Sequence, residues 1–338
     1  MMAEDDISAD GLFEACAAGD VASVQTLLQK PAYIAKALET EERIEDEELQ
    51  LTRRSLNLLD MFNKAAGAGS SDMIKYLLLF AHTHGVPYET LIRRATICAA
   101  ISSGNSLSVL RELYAVTPDV VNIDMGHAGT PLSQAVNGSR NAPRYTADRT
   151  TLVQFLLDNG ANPNQVQGPD RNYPGTYLRT AVQRSSLSVI ELLIQHGAQI
   201  EQSGAMHQAA EKGRIDVMAL LLCYGANVNE QLWTNLEYSA RSRTTFKKEK
   251  GIISDVSDDY RRYYRRYYRK YYRRYRPKWS HETPLHSTVL HRQIEATAWL
   301  VKLGADATIT DSKEWSAKDM ATTMDDTSIL EALAMVFG

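Results

Sequence analysis

The apolar positions along this chain recur as pairs of short helices, and the pattern is clearest between Gly204 and Asn229 (GAMHQAAEKGRIDVMALLLCYGANVN). Ala209 and Ala210 are small enough for a first helix to approach a neighbour closely. Gly213 is expected to end this helix, because the left-handed residue that closes many helices is tolerated best without a side chain. The second helix has apolar residues at the spacing of one helical face, namely Val217, Met218, Leu221 and Leu222.

The same pair of helices recurs from one end of the chain to the other. Two helices of this size cannot bury their apolar faces alone, so each copy requires a neighbouring copy. The last copy, which begins at Ser316, has polar residues where the inner copies are apolar, as the exposed end of such a stack needs. Aligned on the position of Gly213, the copies carry Gly19, Gly69, Gly104, Ser139, Ser185, Gly213, Arg292 and Asp325.

The opening and closing motifs of this unit resemble those of the ankyrin repeat. TPLH at 283–286 and TPL at 130–132 carry the opening motif. The closing motif is carried by LLDNGANPN (156–164), LLIQHGAQI (192–200), LLCYGANVN (221–229) and LVKLGADAT (300–308). The resemblance implies an all-α ankyrin-repeat solenoid of about seven repeats, with short finger hairpins and a C-terminal capping repeat.

Departures from the repeat period locate the other segments of the chain. The steps between equivalent positions are 50, 35, 35, 46, 28, 79 and 33 residues, against about 33 for an ankyrin repeat. The step of 50 contains an acidic helical insertion at about 31–55, and the step of 28 indicates that the finger before Gly204 is nearly absent. We therefore divide the chain into six repeats at 10–230, an insertion at 231–282, and a seventh repeat with its cap at 283–338.

The second insertion contains a basic, tyrosine-rich arm at 260–278. This arm has ten Lys and Arg and no Asp or Glu, and subtracting these ten charges from the formal net charge of −4 leaves −14 for the other residues. Its alternation of two Tyr with two basic residues puts the tyrosines at helical spacing. The residues of the arm that we expect to contact a partner are Arg261, Arg262, Tyr264, Arg265, Arg266, Tyr268, Arg269, Lys270, Arg273 and Arg274.

Three interpretations of this arm stay open. Cationic residues beside aromatic rings are typical of proteins that bind single-stranded nucleic acids, in which charges contact phosphates and rings stack on bases. A low-complexity insertion is also tolerated, or binds a partner, wherever it loops out between repeats. In the third interpretation, the arm docks on the acidic segment at 39–48 or on the acidic repeat face of the same chain.

The sequence shows no constellation for catalysis, for a metal or for a cofactor, so we expect a non-enzymatic protein. His281, His286 and His291 are spaced by five residues, which scatters them around a helix. The glycines at 67–69 are not followed by the Lys and Ser or Thr of a phosphate loop. By its resemblance to ankyrin repeats, the chain should use His207 and His286 for structural hydrogen bonds to backbone.

The composition indicates an ordinary globular protein of a reducing compartment. Cys16, Cys98 and Cys223 all lie in apolar helical patterns and give no disulfide framework. The acidic N-terminus has no features of a signal peptide. The apolar run at 74–81 is far shorter than the roughly 20 residues that span a bilayer. We expect a monomer in the cytoplasm, the nucleus or both, without a membrane span.

The leading functional expectation is that the chain binds another protein through the concave face of its repeats. In ankyrin repeats, the contacts come mostly from finger tips and from the two residues after the Ala pair of the first helix. Here these pairs are Gln183 and Arg184, Glu211 and Lys212, and Leu290 and His291. The alternative, from another class, is binding of nucleic acid or an acidic surface through the arm at 260–278. Affinity for phosphates would then fall steeply as salt rises.

Overall fold

The computed structural model describes residues 9–39, 57–103, 106–125, 129–137, 149–165, 176–232, 282–311, 314–324 and 326–334. Over these ranges the chain is helical, and strand-like pairing is confined to an isolated antiparallel bridge between Thr310 and Ser316. The prediction of an all-α fold is therefore confirmed. The chain divides into two compact units, at 1–162 and at 163–338.

The first unit is built from helices that follow one another in pairs. The α-helices are α1 (Ala9–Ala18), α2 (Val21–Leu27), α3 (Pro31–Ala37), α4 (Leu58–Ala68), α5 (Ser71–Thr83), α6 (Arg94–Ser102), α7 (Ser106–Val116), α8 (Pro131–Asn137) and α9 (Thr150–Asp158). Short 3-10 helices at Tyr88–Thr90 and Pro118–Asn122 follow α5 and α7. The pairs α1–α2, α4–α5, α6–α7 and α8–α9 correspond to the first four predicted copies.

Each pair in the first unit packs on the next pair, first helix on first helix and second on second. Among the first helices, α1 packs on α4, α4 on α6 and α6 on α8. Among the second helices, α2 packs on α5, α5 on α7 and α7 on α9. Phe62 on α4 is among the largest fully buried side chains of this core. Ala65 and Ala66 on the same helix are also fully buried, which lets the neighbouring first helices come close.

The ends of α4 show how the local sequence defines a helix. Asn57 precedes the helix, and its side-chain oxygen accepts a hydrogen bond from the Asp60 backbone N–H at 3.0 Å, so one donor of the first turn is satisfied. Gly69 follows the helix in the left-handed region with φ of 74°. The glycines at the end of the first helix therefore have the role that their recurrence predicts.

The acidic insertion predicted at about 31–55 falls only partly within the described residues. Its first part is α3, which begins at Pro31, a favourable residue for the first turn because its missing N–H would have no helical partner. Residues 40–56, which contain most of the acidic side chains, lie outside the described residues. The helical character of this acidic part stays a prediction.

The second unit continues the same arrangement of helix pairs. Its helices are α10 (Thr176–Arg184), α11 (Leu187–Gln195), α12 (Ala205–Glu211), α13 (Ile215–Cys223), α14 (Pro284–Leu290), α15 (Ile294–Lys302), α16 (Ala317–Thr323) and α17 (Thr327–Ala334). The first helices α10, α12, α14 and α16 pack in series, α11 packs on α13, and α15 packs on α17. The insertion leaves after Leu232 and the chain is described again from Glu282, immediately before α14.

Asparagine side chains join the turns of successive repeats. The Asn164 amide donates a hydrogen bond to the Gly197 carbonyl at 2.7 Å, and its oxygen accepts one from the Gln199 N–H at 2.8 Å. Asn229 bridges to Gly304 and Asp306 with distances of 3.5 and 2.8 Å, and Asn122 in the first unit bridges to Gly160 and Asn162 with distances of 2.7 and 3.0 Å. These bonds fix the spacing between second-helix ends.

The finger before Gly204 is shortened to a tight turn, as the step of 28 residues suggests. Gln202 and Gly204 both have positive φ, at 59° and 73°. The Ser203 hydroxyl donates to the Ile200 carbonyl at 2.6 Å and accepts from the Ala205 N–H at 3.1 Å. The chain thus passes from the fifth copy into α12 within a few residues. Its surroundings hold Gln202 in the left-handed conformation, which is unfavourable for a residue other than glycine.

Candidate protein-binding surface

The six predicted contact residues of the repeats lie at equivalent places on three first helices that pack side by side. Because α10 packs on α12 and α12 on α14, their C-terminal ends form one surface, which we call the inner-helix surface. Arg184, Lys212 and Leu290 are exposed, Leu290 to 39%. Their neighbours Gln183, Glu211 and His291 are half-buried. The structure thus brings the six residues together on one surface.

The centre of the inner-helix surface is a charged pair. Lys212 Nζ lies 2.8 Å from Glu211 Oε1, and the His291 Nδ1 contacts the Ser287 carbonyl at 2.9 Å. Burial would raise the pKa of Glu211, but the hydrogen bond and charge of Lys212, with a smaller effect of His291, outweigh it and lower the pKa. Glu211 is therefore ionised at neutral pH, and the surface combines cationic, anionic and apolar groups.

Two long polar side chains, which sequence reasoning did not single out, hold the inner-helix surface from the side. Arg214 donates hydrogen bonds to the Val182 and Ser185 carbonyls of the preceding repeat, at 3.2 and 3.1 Å. Gln293, at the equivalent position one copy later, donates to the Glu211 carbonyl at 3.1 Å. The carbonyls at a helix end have no partner within the helix, so these side chains cap it. In the sequence, the feature that could have indicated these caps is a long polar residue directly after the residue that ends the first helix.

A glycine beneath one of these caps leads to a testable expectation. A Cβ on Gly213 would collide with the Gln293 side-chain amide, and φ of Gly213 is +64°. We expect Gly213→Ala to destabilise the second unit by about 2 kcal/mol, since left-handed strain adds to displacement of the cap. Gly197→Ala is the control, because φ is +85° there but nothing lies within 4 Å of the added Cβ. Urea unfolding should show the smaller loss for Gly197→Ala, and equal losses would rule out the contribution of Gln293.

The two histidines of the opening motif make hydrogen bonds to backbone carbonyls of the following copy. His207 Nε2 lies 2.8 Å from the Glu282 oxygen, and His286 Nε2 lies 3.0 Å from the Trp315 oxygen. Carbonyl oxygens only accept, so in both rings Nε2 carries the proton and donates. In His286, the Thr283 N–H also donates to Nδ1 at 3.1 Å. The structural role implied by the ankyrin resemblance thus agrees with the geometry.

His207 lies beside a buried glutamate at the place where the insertion leaves and returns. Its Nδ1 is 3.9 Å from Glu230 Oε2, and Glu230 Oε1 accepts the Gln202 N–H at 2.6 Å. Burial lowers the pKa of His207 to about 4. Burial also raises the pKa of Glu230, and the Gln202 hydrogen bond only partly offsets this. A neutral imidazole therefore lies beside Glu230 and Glu282, the described residues on either side of the insertion, at neutral pH.

In the part of the chain that the structure describes, His, Cys, Asp and Glu form no group of three or more that could hold a metal ion. Within the same ranges, the helices are too short or too polar to cross a membrane. Burial raises the pKa of the Cys16 thiol to about 12, so this thiol stays protonated. The arm at 260–278, with all ten of its predicted contact residues, lies outside the described residues.

Comparison with known proteins agrees with the helix pairs. Residues 144–231 match the family model for ankyrin repeats (3 copies). The chain is 25% identical over 190 residues to alpha-latrocrustotoxin-Lt1a of Latrodectus tredecimguttatus, which covers 52% of this chain and 12% of that protein. It is 28% identical over 152 residues to the B-cell lymphoma 3 protein homolog of Mus musculus, which covers 42% of this chain and 34% of that protein. The matched region is about a third or less of the length of either relative. These matches and the paired helices show that the chain contains ankyrin repeats.

Proposed function

We propose that this protein is a non-catalytic adaptor that binds another protein through the inner-helix surface. Ankyrin repeats generally mediate protein–protein interaction. The observation that carries the proposal is the exposure of Arg184, Lys212 and Leu290 at the same end of three adjacent first helices. Arginine is frequent among the residues that dominate binding energy at interfaces.

The rigidity of the inner-helix surface supports the proposal. The backbone beneath Arg184 and Glu211 is capped by the side chains of Arg214 and Gln293 from the following copies. A surface whose backbone is already ordered loses less conformational entropy on binding. The partner that fits is a protein that presents carboxylates to Arg184 and Lys212 and an apolar side chain to Leu290.

The test uses two matched double variants of the full chain. Partners are captured from cell lysate on the intact chain, identified, and then titrated against each variant. Lys212→Ala with Leu290→Ala is expected to weaken binding about thirtyfold, since two contacts of about 1 kcal/mol each are lost. Lys302→Ala with Leu303→Ala removes the same residue types from exposed positions at the end of α15 and should leave the affinity unchanged. Equal losses for the two variants, or none, would reject the inner-helix surface as the binding site.

A second candidate function, binding of nucleic acid through the arm, rests on the sequence of 260–278, where ten basic residues alternate with tyrosines. The discriminating variant replaces the eight basic residues from Arg261 to Arg274 by glutamine in the full chain. If the arm binds nucleic acid, a single-stranded RNA oligonucleotide binds the intact chain with an affinity that falls steeply between low and moderate salt. The glutamine variant should then lose this binding, whereas the Lys212→Ala and Leu290→Ala variant should keep it.

A further inference from the structure

The helices α12 and α14 bury several polar side chains. On α4 and α6 the buried side chains are mostly apolar, among them Phe62, Ala66 and Ile97, with Thr96 as a polar exception. Between α12 and α14, several buried side chains carry hydroxyl, amide or imidazole groups. These are His207, Gln208, Thr283, His286, Ser287 and Thr288. The hydrogen bond from His207 to the Glu282 carbonyl joins the two copies within this polar contact, and its loss would leave a buried N–H unsatisfied.

His207 is the central residue of this contact. Its side chain is completely buried, and its Nε2 donates to the carbonyl of Glu282, which lies 75 residues further along the chain. Its Nδ1 is close to the carboxylate of Glu230, two residues before Leu232, after which the insertion leaves. One imidazole thus contacts the residues on both sides of the insertion, and it joins the sixth copy to the seventh.

Charged groups on both neighbouring first helices act on His207. Arg179 on α10 and His286 on α14 oppose a positive charge on the imidazole, whereas backbone hydrogen bonds to Glu282 and Glu230 favour it. Glu201 lies near Glu230 and, with burial, disfavours ionisation of that carboxyl. Glu282 is also buried, and its backbone carbonyl contacts the imidazole. Burial is the largest influence on His207, and it disfavours the imidazolium.

We propose that the junction between α12 and α14 is a proton-sensitive hinge, in which protonation of His207 releases residues 282–334 from α12. In the closed junction an imidazolium would lie beside Arg179 and out of contact with water, which is unfavourable. Opening of the junction hydrates this charge and is therefore favoured when His207 is protonated. The released part contains two helix pairs, α14–α15 and α16–α17. Fewer than three repeats are not stable alone, so release exposes their backbone amides to solvent.

Amide hydrogen exchange of the full chain, measured by mass spectrometry at pH 7.5 and 5.0, tests the hinge. After correction for intrinsic exchange rates, the opening constant of amides in α14–α17 should rise about 25-fold, which follows from a pKa of 6.5 in the open state and about 4 in the closed state. Amides of α4 and α5 and of α10 and α11 should not change. A uniform change over all these helices would mean ordinary acid unfolding and would overturn the proposal.

Variants assign the effect to one residue. His207→Gln keeps an N–H donor for the Glu282 carbonyl but cannot be protonated, so the opening constant of α14–α17 should no longer rise between pH 7.5 and 5.0. His286→Gln changes the equivalent residue one copy later and should keep the response. Glu230→Gln removes a carboxyl whose protonation on acidification opposes the effect of His207, so it should enlarge the increase at pH 5.0. If His207→Gln does not fold, an unchanged or smaller response of Glu230→Gln still contradicts the proposal.

Discussion

Replacement of Phe62 by alanine is expected to lower the free energy of unfolding of the first unit by about 4 kcal/mol, within the range known for large aromatic residues. The Phe62 side chain has 0% of its surface exposed and lies in α4, which packs on both α1 and α6. The substitution loses the free energy gained by burying the phenyl ring away from water. It also leaves a cavity that the three helices cannot close without moving. A repeat in the middle of a stack is supported from both sides, so one cavity weakens two contacts.

Urea unfolding followed by far-UV circular dichroism measures this loss. The control is Leu79→Ala on α5, since Leu79 is 61% exposed and its removal should change the free energy of unfolding by less than about 0.5 kcal/mol. A loss below about 1.5 kcal/mol for Phe62→Ala would mean that the core around α4 collapses into the space and is not held by its neighbours.

Acidification from pH 7.5 to 4.5 is expected to remove about 2.5 kcal/mol from the stability of α14–α17, the part that packs on α12, through His207 alone. The folded pKa of about 4 lies below the ordinary value of 6.5, so the unfolded chain binds the proton first. The stability due to the neutral imidazole is therefore complete above pH 6.5, and it is lost progressively as the pH falls toward 4. The first cause is burial, which disfavours the charged ring.

Glu230 acts in the opposite direction and must be separated from His207. Burial raises its pKa, so its ionisation destabilises the folded state at neutral pH, and protonation on acidification relieves this cost. Comparison of the intact chain with His207→Gln at both pH values isolates the histidine. Tryptophan fluorescence during urea unfolding reports on the second unit, because all four tryptophans follow Leu232 in the sequence. A pH dependence that is the same in both proteins would show that His207 is not the titrating group.

The inner-helix surface could be located from the sequence because its residues hold constant positions in a repeated motif. Arg184, Lys212 and His291 follow the first-helix Ala pair or its equivalent in three copies, and α10, α12 and α14 do pack side by side. Arg214 and Gln293 could not be assigned, because their hydrogen bonds go to the preceding copy. A cap between copies depends on the distance between two helices, which periodicity alone does not state.

The sequence by itself determined the helix pairs, their order, the glycines that end the first helices and the two histidines of the opening motif. These features are local, since apolar spacing and left-handed turn residues act within a few positions of one another. The tertiary structure alone showed that the pKa of His207 is depressed, that Glu230 and Glu282 meet on either side of it, and that Gln202 adopts a left-handed conformation. These features depend on residues 28 to 75 positions apart, and burial and hydrogen bonding between such residues exist only after the copies have packed.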